Sequence, residues 1–523
     1  MIHLRSAGDT GSKAEWGTKA LRLLCSFLIH RKSEAFPMYD VIIIGCGVVG
    51  AATAYRLARC RLRVAVLEAQ NDVANGTTKA NSAIIHAGYD PRPGTLMAKL
   101  NVEGNRLTGE IARKLDVPFR RVGSLVVALG PEQQPALEEL YRRGRANGVP
   151  GLRLLTGEQA RALEPQLSPG VTAALLAPTA GIIDPWDFAL AMAETAVRNG
   201  VQLLRSCPVT GITPLEQGGF AVQTPKGTFS TRFLVNAAGV QADAVHALLE
   251  PVDWTMRPSR GAYFLLDKSE HSRVSRVIFQ CPGPSGKGVL VGPTIHGNLI
   301  VGPDAEPVED RRDLGTTAAA LDFVRSRAVQ SVPGIDFRQN IRNFAGIRAN
   351  TDQSDFIIRP SARYPAFLDL AGIRSPGLSS APAIANLAAE LLARAGLDLS
   401  EKEAFVDERH VVRFRALSPE EKNRLIRRDP RYGRVICRCE TVTEGEIVAA
   451  LHSPIPPCSV NGVKRRCNAG MGRCQGGFCG PRVVELIARE AGVDPTRVLM
   501  DQEGTWILAG ETKQPGREVR SDV

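Results

Sequence analysis

Regular patterning of apolar and polar positions begins at Tyr39. The run YDVIII (39–44) is apolar and β-branched after its first two residues, the pattern of a strand buried on both faces of a parallel sheet. AATAYRLARC (51–60) spaces its apolar residues as a helix does, and RVAVLE (63–68) predicts a second buried strand. Together they make one βαβ unit. After Gly123 come short or alternating apolar runs, SLVVAL (124–129), AYFLLD (262–267), RVIFQ (276–280) and GVLVGPTIHGNLIVGP (288–303). The last predicts a hairpin turning at His296 to Asn298. Helical patterns at Pro131–Gly148 and Trp186–Gly200 separate these runs, and RFLVNAAG (232–239) is an apolar strand ending in small residues. Near the end of this region Gly372 closes a strand and Ser375 to Ser380 open an apolar helix. Residues 411–432 are charged and punctuated by prolines, as a connector would be. The pattern contains no internal repeat and no low-complexity linker.

No run approaches the ~20 apolar residues that a membrane-spanning helix needs. Leu23–Ile29 is apolar but short, sits between Arg22 and His30, and has no small-residue cleavage site before Met38. Residues 1–37 are therefore expected to be an extension outside the fold, with Met38 an alternative start and a weak peripheral anchor the competing reading.

The chain has 523 residues, enough for roughly three domains. Its formal charge of +11 suits an anionic substrate, an acidic partner or a membrane surface and selects none of them. The arginines are scattered, without a dense basic run or interleaved aromatics, which argues against nucleic acid. Eleven cysteines point to metal or redox chemistry rather than disulfides. Six fall between Cys437 and Cys479, whereas Cys25, Cys46, Cys60, Cys207 and Cys281 stand alone and are expected to be small buried hydrophobes.

The first strand ends in GCGVVG, so Gly45, Gly47 and Gly50 have G-x-G-x-x-G spacing, and the second strand ends at Glu68. Such a turn lets the backbone approach a pyrophosphate at a helix N-terminus, while the acid accepts from the adenosine ribose. The competing reading is an αβ turn without a ligand, and the unit alone does not separate FAD from NAD. TTKANSAIIHAGYD (77–90) follows, where Thr77, Thr78, Lys79, Asn81 and Ser82 offer donors for phosphates and a flavin edge, or form a plain polar loop. Gly239 ends a strand in a way that lets the chain pass close to a cofactor. The helix opening around Gly377 and Leu378 could turn its N-terminus to the flavin pyrimidine carbonyl.

These segments together resemble FAD-dependent oxidoreductases of the D-amino-acid-oxidase superfamily, most nearly the bacterial glycerol-3-phosphate dehydrogenase/oxidase group, in which T-T-K-A-N-S-x-I-x-H-A-G-Y-D recurs. The resemblance covers residues 38 to 512. It implies an α/β (α+β overall) fold, with a Rossmann-like FAD-binding domain (about 38–123, 184–245 and 340–400) interleaved with an antiparallel-sheet substrate cap (about 124–183 and 246–339). Flavin oxidation of an alcohol needs a base, and His86 is the candidate, the alternative being a structural hydrogen bonder. Arg348 matches the position at which the family holds the substrate anion, the alternative being a surface charge. Arg260 and Tyr263 are weaker substrate candidates. Ala262 and Arg374 stand where relatives often have acidic or polar residues, which leaves phosphate against carboxylate open.

Near the C-terminus, Cys437 and Cys439 form a C-x-C pair, followed 35 residues later by Cys474 and Cys479 in a C-x4-C pair. Four thiolates suffice for a 2Fe-2S cluster, and the C-x-C pair fits a zinc site poorly. The spacing and its glycines resemble the bacterioferritin-associated-ferredoxin-like (BFD-like) domain, placed at 433–490 and followed by a tail at 491–523. Cys458 and Cys467 are read as thiols outside the ligand set. The implied activity is FAD-dependent oxidation of sn-glycerol 3-phosphate to dihydroxyacetone phosphate, with electrons leaving through the cluster to an acceptor protein or quinone-linked subunit. The alternatives are an L-2-hydroxyacid (L-2-hydroxyglutarate-like) or secondary amino acid dehydrogenase, and an electron-transfer subunit without its own substrate. The expected location is the cytoplasm or the inner face of the membrane.

Overall fold

The computed structural model describes residues 38–282 and 288–510; the expected extension 1–37 and Cys25 lie outside the described residues. The chain divides into two units, one formed by the described residues of 38–412 with the short stretch Met471–Gln475, the other by Arg413–Gly470 with the described part of Gly476–Val523.

The larger unit holds two principal sheets among the described residues. In the first, the strands Gln202–Leu204, Val64–Leu67, Tyr39–Ile44, Gly227–Asn236 and Phe367–Ala371 lie parallel in that order. Tyr39–Ile44, almost wholly buried, therefore runs through the middle, as its apolar run predicts. The first half of Gly227–Asn236 also pairs antiparallel with Phe220–Thr224. Helices Val48–Leu57 and Gly377–Arg394 pack on each other and against this sheet, with Leu96–Lys114 on the latter helix and Pro185–Arg198 on the former. Their approach depends on small residues: a Cβ on Gly104 would stand 2.1 Å from the Ser379 carbonyl oxygen.

The second sheet has nine strands among the described residues and is assembled from separate stretches of chain, Ser124–Ala128, Arg153–Thr156 and Ala173–Ala177, then Ser259–Leu266 through Asn340–Arg348. The two sheets are thus interleaved along the sequence. The hairpin is found as predicted, with Leu290–Pro293 against Leu299–Gly302 and the Thr294 carbonyl accepting from Gly297 N at 3.2 Å. Two expectations need correction. The cap sheet is not wholly antiparallel, because Val277–Gln280 runs parallel to Ser124–Ala128. Asn340–Arg348, assigned to the FAD-binding segments, pairs along its length with Ser259–Leu266 and belongs to the cap sheet. The reason is common to both: strand partners far apart in sequence are chosen by tertiary contact, which local apolar pattern does not encode.

The smaller unit is mainly helical, with Glu444–Leu451, Val460–Cys467 and Gly480–Ala491 beside a two-stranded ribbon, Val435–Cys437 and Val442–Thr443. The stretch 411–432, expected to be a connector, instead carries the helix Pro419–Arg428, and Thr443 and Glu446 form a capping box at Glu444–Leu451. Val442, Ile447, Leu451, Val463, Val483 and Ile487 form the core, with Cys437 and Cys479 buried in it. Cys46, Cys60, Cys207 and Cys281 of the larger unit are buried, as expected of small apolar side chains.

Gly104→Ala should destabilise the larger unit by about 1–3 kcal/mol, because backbone rather than a movable side chain blocks the added methyl. Urea unfolding checks this, and an unchanged midpoint would contradict the close helix packing.

Candidate functional site

The glycine turn joins Tyr39–Ile44 to the helix Val48–Leu57. Gly45 has φ +97°, and a Cβ there would lie 2.6 Å from the Ala237 carbonyl oxygen. On Gly50 a Cβ would lie 2.0 Å from the Gly45 carbonyl oxygen. Both positions therefore require glycine. Gly47, having no side chain, caps nothing, and the first amide of the helix, Val48 N, is instead taken by Thr78 Oγ1. Beside the turn Glu68 is buried, with Oε2 accepting from Cys46 N at 2.7 Å and Oε1 from Gln70 N at 2.8 Å. Burial pushes its carboxyl above the ordinary range, opposed by those amides. The turn thus offers a cradle without side chains, a helix N-terminus and a fixed acid, a donor set that fits a dinucleotide.

The polar loop after it is tied down through its own side chains. Val48 N donates to Thr78 Oγ1 at 3.0 Å, Thr77 Oγ1 donates to the Ile347 carbonyl at 2.7 Å, and Lys79 Nζ donates to Asn75 Oδ1 at 2.9 Å. Asn81 Nδ2 donates to the Thr78 carbonyl and its Oδ1 accepts from Ala83 N. Ser82 and Tyr263 share a hydrogen bond of 3.1 Å between hydroxyls. Thr77, Thr78 and Asn81 therefore shape the loop as well as offering polar atoms to a cofactor.

Above this loop lies one face of the cap sheet. Ser259 opposes Arg348, Gly261 opposes Gly346 and Tyr263 opposes Phe344, so these six share a face. The Tyr263 and Phe344 rings stack at 4.8 Å. A Cβ on Gly346 would meet the Ala80 carbonyl oxygen at 1.9 Å, which turns this face onto the Thr77–Ser82 loop. Arg348 lies here, half-buried, donating to the Asp304 carbonyl at 3.0 Å and reaching Ser259 Oγ at 3.5 Å. Among the described residues no carboxylate pairs with it, so its charge is uncompensated. Arg260 faces the other way, buried and ion-paired to Glu306 at 2.7 Å and to Asp313. Its expected place at a substrate is corrected accordingly: strand alternation turns it from the site, and two carboxylates already hold its guanidinium.

His86 is half-buried in a cleft lined by Gly88, Tyr89, Asn101 and Pro376. Its backbone is held on both sides: His86 N donates to Ser379 Oγ at 2.7 Å, and its carbonyl accepts from Asn101 Nδ2 at 2.8 Å and Asn105 Nδ2 at 3.0 Å. The ring lies 5.8 Å from Phe279, with Nε2 3.3 Å from Ser375 Oγ. Gly377 and Leu378 begin the helix Gly377–Arg394, which has no side-chain cap, while Gly239 opens a short turn after Gly227–Asn236. Sequence reading did not single out Asn101, Asn105 or Ser379. The available signal was the pair of asparagines four residues apart on the buried face of an amphipathic helix.

Behind the Gly239 turn sits a buried polar network. His246 Nδ1 donates to Asp369 Oδ2 at 2.7 Å, and Asp369 Oδ1 accepts from Asn236 Nδ2 at 2.8 Å. Asn236 Oδ1 accepts from Ala238 N, so the network holds the turn that passes over Gly45. The Asp369 hydrogen bond raises the His246 pKa above its ordinary value.

Cys437 and Cys479 are buried, whereas Cys439 and Cys474 are exposed, Cys474 within Met471–Gln475. The Cys437 thiol is held well below its ordinary pKa by a hydrogen bond with Cys479 and by the backbone amides of Gly470 and Glu440. Amides directed at sulfur favour thiolate, the form that ligates iron. Burial instead pushes Cys467 up to about 12, and its Sγ lies 3.4 Å from the Val463 carbonyl. Among the described residues no three His, Cys, Asp or Glu side chains gather around a single metal ion.

Comparison with known proteins gives two family matches: FAD dependent oxidoreductase over residues 40–391, and BFD-like 2Fe-2S binding domain over 435–489. A glycerol 3-phosphate dehydrogenase of Caloramator mitchellensis is 48% identical over 477 residues, 91% of this chain and 99% of that protein. An alignment of that length extends past Arg413 into the cysteine-bearing region. An L-2-hydroxyglutarate dehydrogenase of Caenorhabditis elegans is 34% identical over 285 residues, 53% of this chain and 65% of that protein. Among solved structures, a dithionite-reduced L-alpha-glycerophosphate oxidase from Mycoplasma pneumoniae with FAD bound superposes with a TM-score of 0.69 at 32% identity. That match covers 72% of this chain and all of the other.

The His246–Asp369 pair carries a pH dependence of stability. A histidine with a raised folded pKa stabilises fully below its unfolded value of about 6.5, and the contribution is lost as pH rises through the raised value. Asp369→Asn should therefore lower stability more at pH 6 than at pH 9 in urea unfolding, and equal losses would contradict the assignment.

Proposed function

This chain belongs to the FAD dependent oxidoreductase family, and from that premise we propose that it oxidises sn-glycerol 3-phosphate to dihydroxyacetone phosphate and passes the electrons on through a C-terminal 2Fe-2S centre. The observation that carries the substrate reading is Arg348, an uncompensated guanidinium on the cap face turned to the Thr77–Ser82 loop. A planar fork of donors suits a phosphate dianion. Full-length similarity to the Caloramator mitchellensis protein supports phosphate over carboxylate.

In this reading Gly45, Gly47, Gly50 and the N-terminus of Val48–Leu57 take the FAD pyrophosphate, and Glu68 accepts from the ribose. Thr77, Thr78, Lys79, Asn81, Ser82, Gly239, Gly377 and Leu378 surround the flavin. Bound FAD supplies a two-electron hydride acceptor, and the cluster a one-electron relay. Arg348 fixes the substrate anion, with Tyr263 on the same face, and His86 takes the proton from the substrate hydroxyl. Asn101, Asn105 and Ser379 hold the His86 backbone, which limits the positions its ring can reach. Cys437, Cys439, Cys474 and Cys479 ligate the cluster within 433–490. No helix among the described residues is long and apolar enough to cross a membrane. We place the enzyme in the cytoplasm or peripherally on the membrane's inner face, feeding an acceptor protein or a quinone-linked subunit.

His86→Gln should keep its flavin and lose turnover by roughly 10²–10⁴-fold. Normal turnover would remove His86 from catalysis. Arg348→Lys should raise KM for glycerol 3-phosphate on the order of tenfold or more, since Lys cannot bind two phosphate oxygens in one plane. Steady-state assays with an artificial acceptor decide the substrate: strong L-2-hydroxyglutarate turnover without glycerol 3-phosphate turnover would reverse the reading.

A further inference from the structure

We propose that the smaller unit presents an electron-exit surface, centred on Arg438 and Phe478, that receives an acidic one-electron carrier protein; this rests on the reading of the four cysteines as cluster ligands. Phe478 is 57% exposed, although the next residue, Cys479, is buried in the unit's core. The Arg438 guanidinium covers its ring at 4.5 Å. Arg438 is itself exposed and stands in the chain between buried Cys437 and exposed Cys439. An aromatic ring held outward in water, under an arginine and next in sequence to a cluster ligand, brings together two kinds of side chain enriched at protein interfaces.

Charge selects the partner. Among the described residues no carboxylate pairs with Arg438. The unit's buried acids are committed elsewhere: Glu440 pairs with Arg415 at 2.7 Å, and Glu444 pairs with Arg434 at 3.0 Å and Arg489 at 2.9 Å. Arg438, between two ligands in sequence, therefore offers positive charge that no carboxylate among the described residues neutralises. Such a field steers an acidic protein and repels a basic one. Each alcohol oxidised yields two electrons and two protons, so two oxidised carriers leave singly reduced and both protons pass to solvent.

The test uses iron-loaded holoenzyme with the soluble haem domain of an acidic cytochrome b5 as probe and a basic cytochrome c as charge control. Interferometry at low and high salt gives binding, and stopped-flow absorbance without carrier gives substrate reduction of flavin and cluster. The expected result is salt-sensitive binding of cytochrome b5 that Arg438→Glu and Phe478→Ala each weaken about tenfold or more. Carrier-free reduction should be unchanged. Equal binding by all three proteins, preference for cytochrome c, or displacement of cytochrome b5 by anionic phospholipid vesicles would overturn the proposal. So would slowed carrier-free reduction with binding intact, which would assign these residues to transfer within the chain. Iron and acid-labile sulfide analysis of the same samples separates that failure from failure of the cluster reading, which zinc in place of iron would signal.

Discussion

A backbone contact too close for any side chain governs the larger unit. The Gly45 carbonyl stands where a Cβ at position 50 would have to be, and the Ala237 carbonyl presses on Gly45 in the same way. Through these two contacts the end of Tyr39–Ile44, the start of Val48–Leu57 and the turn after Gly227–Asn236 converge on one volume free of side chains. Gly45 and Gly50 thereby place the start of that helix beside a buried acid. The Thr77–Ser82 loop is anchored to the same point through Thr78, and the cap sheet to that loop through Thr77 and Gly346. The substrate side is built outward from the cofactor side.

That ordering explains which parts of the molecule were legible in the chain. The βαβ unit, the hairpin at His296–Asn298 and the helix after Gly372 follow from local pattern and turn chemistry, and each is present. The partner of Asn340–Arg348 was not legible, because its pairing with Ser259–Leu266 spans most of the cap. Arg260 was misplaced for a related reason: its neighbour Gly261 faces the site, and a one-residue offset on a strand reverses the direction of a side chain. The asparagines that fix His86 sit on a helix whose buried face looks, by pattern alone, like ordinary core. Only the fold shows that their amides reach the His86 carbonyl.

The two units divide the chemistry by the kind of electron each handles. Hydride removal from an alcohol is a two-electron event that needs a base and an anion clamp, the roles proposed for His86 and Arg348 of the larger unit. A one-electron relay needs thiolates and surrounding amide donors, which the smaller unit supplies at Cys437. Family matches over 40–391 and 435–489 follow the same division.

The most direct test of the account is an anaerobic titration of the purified chain with sn-glycerol 3-phosphate, followed by absorbance and electron paramagnetic resonance. The account predicts bleaching of the flavin together with the spectrum of a reduced 2Fe-2S cluster. A flavin that stays oxidised, or one that bleaches while the cluster remains oxidised, would contradict it.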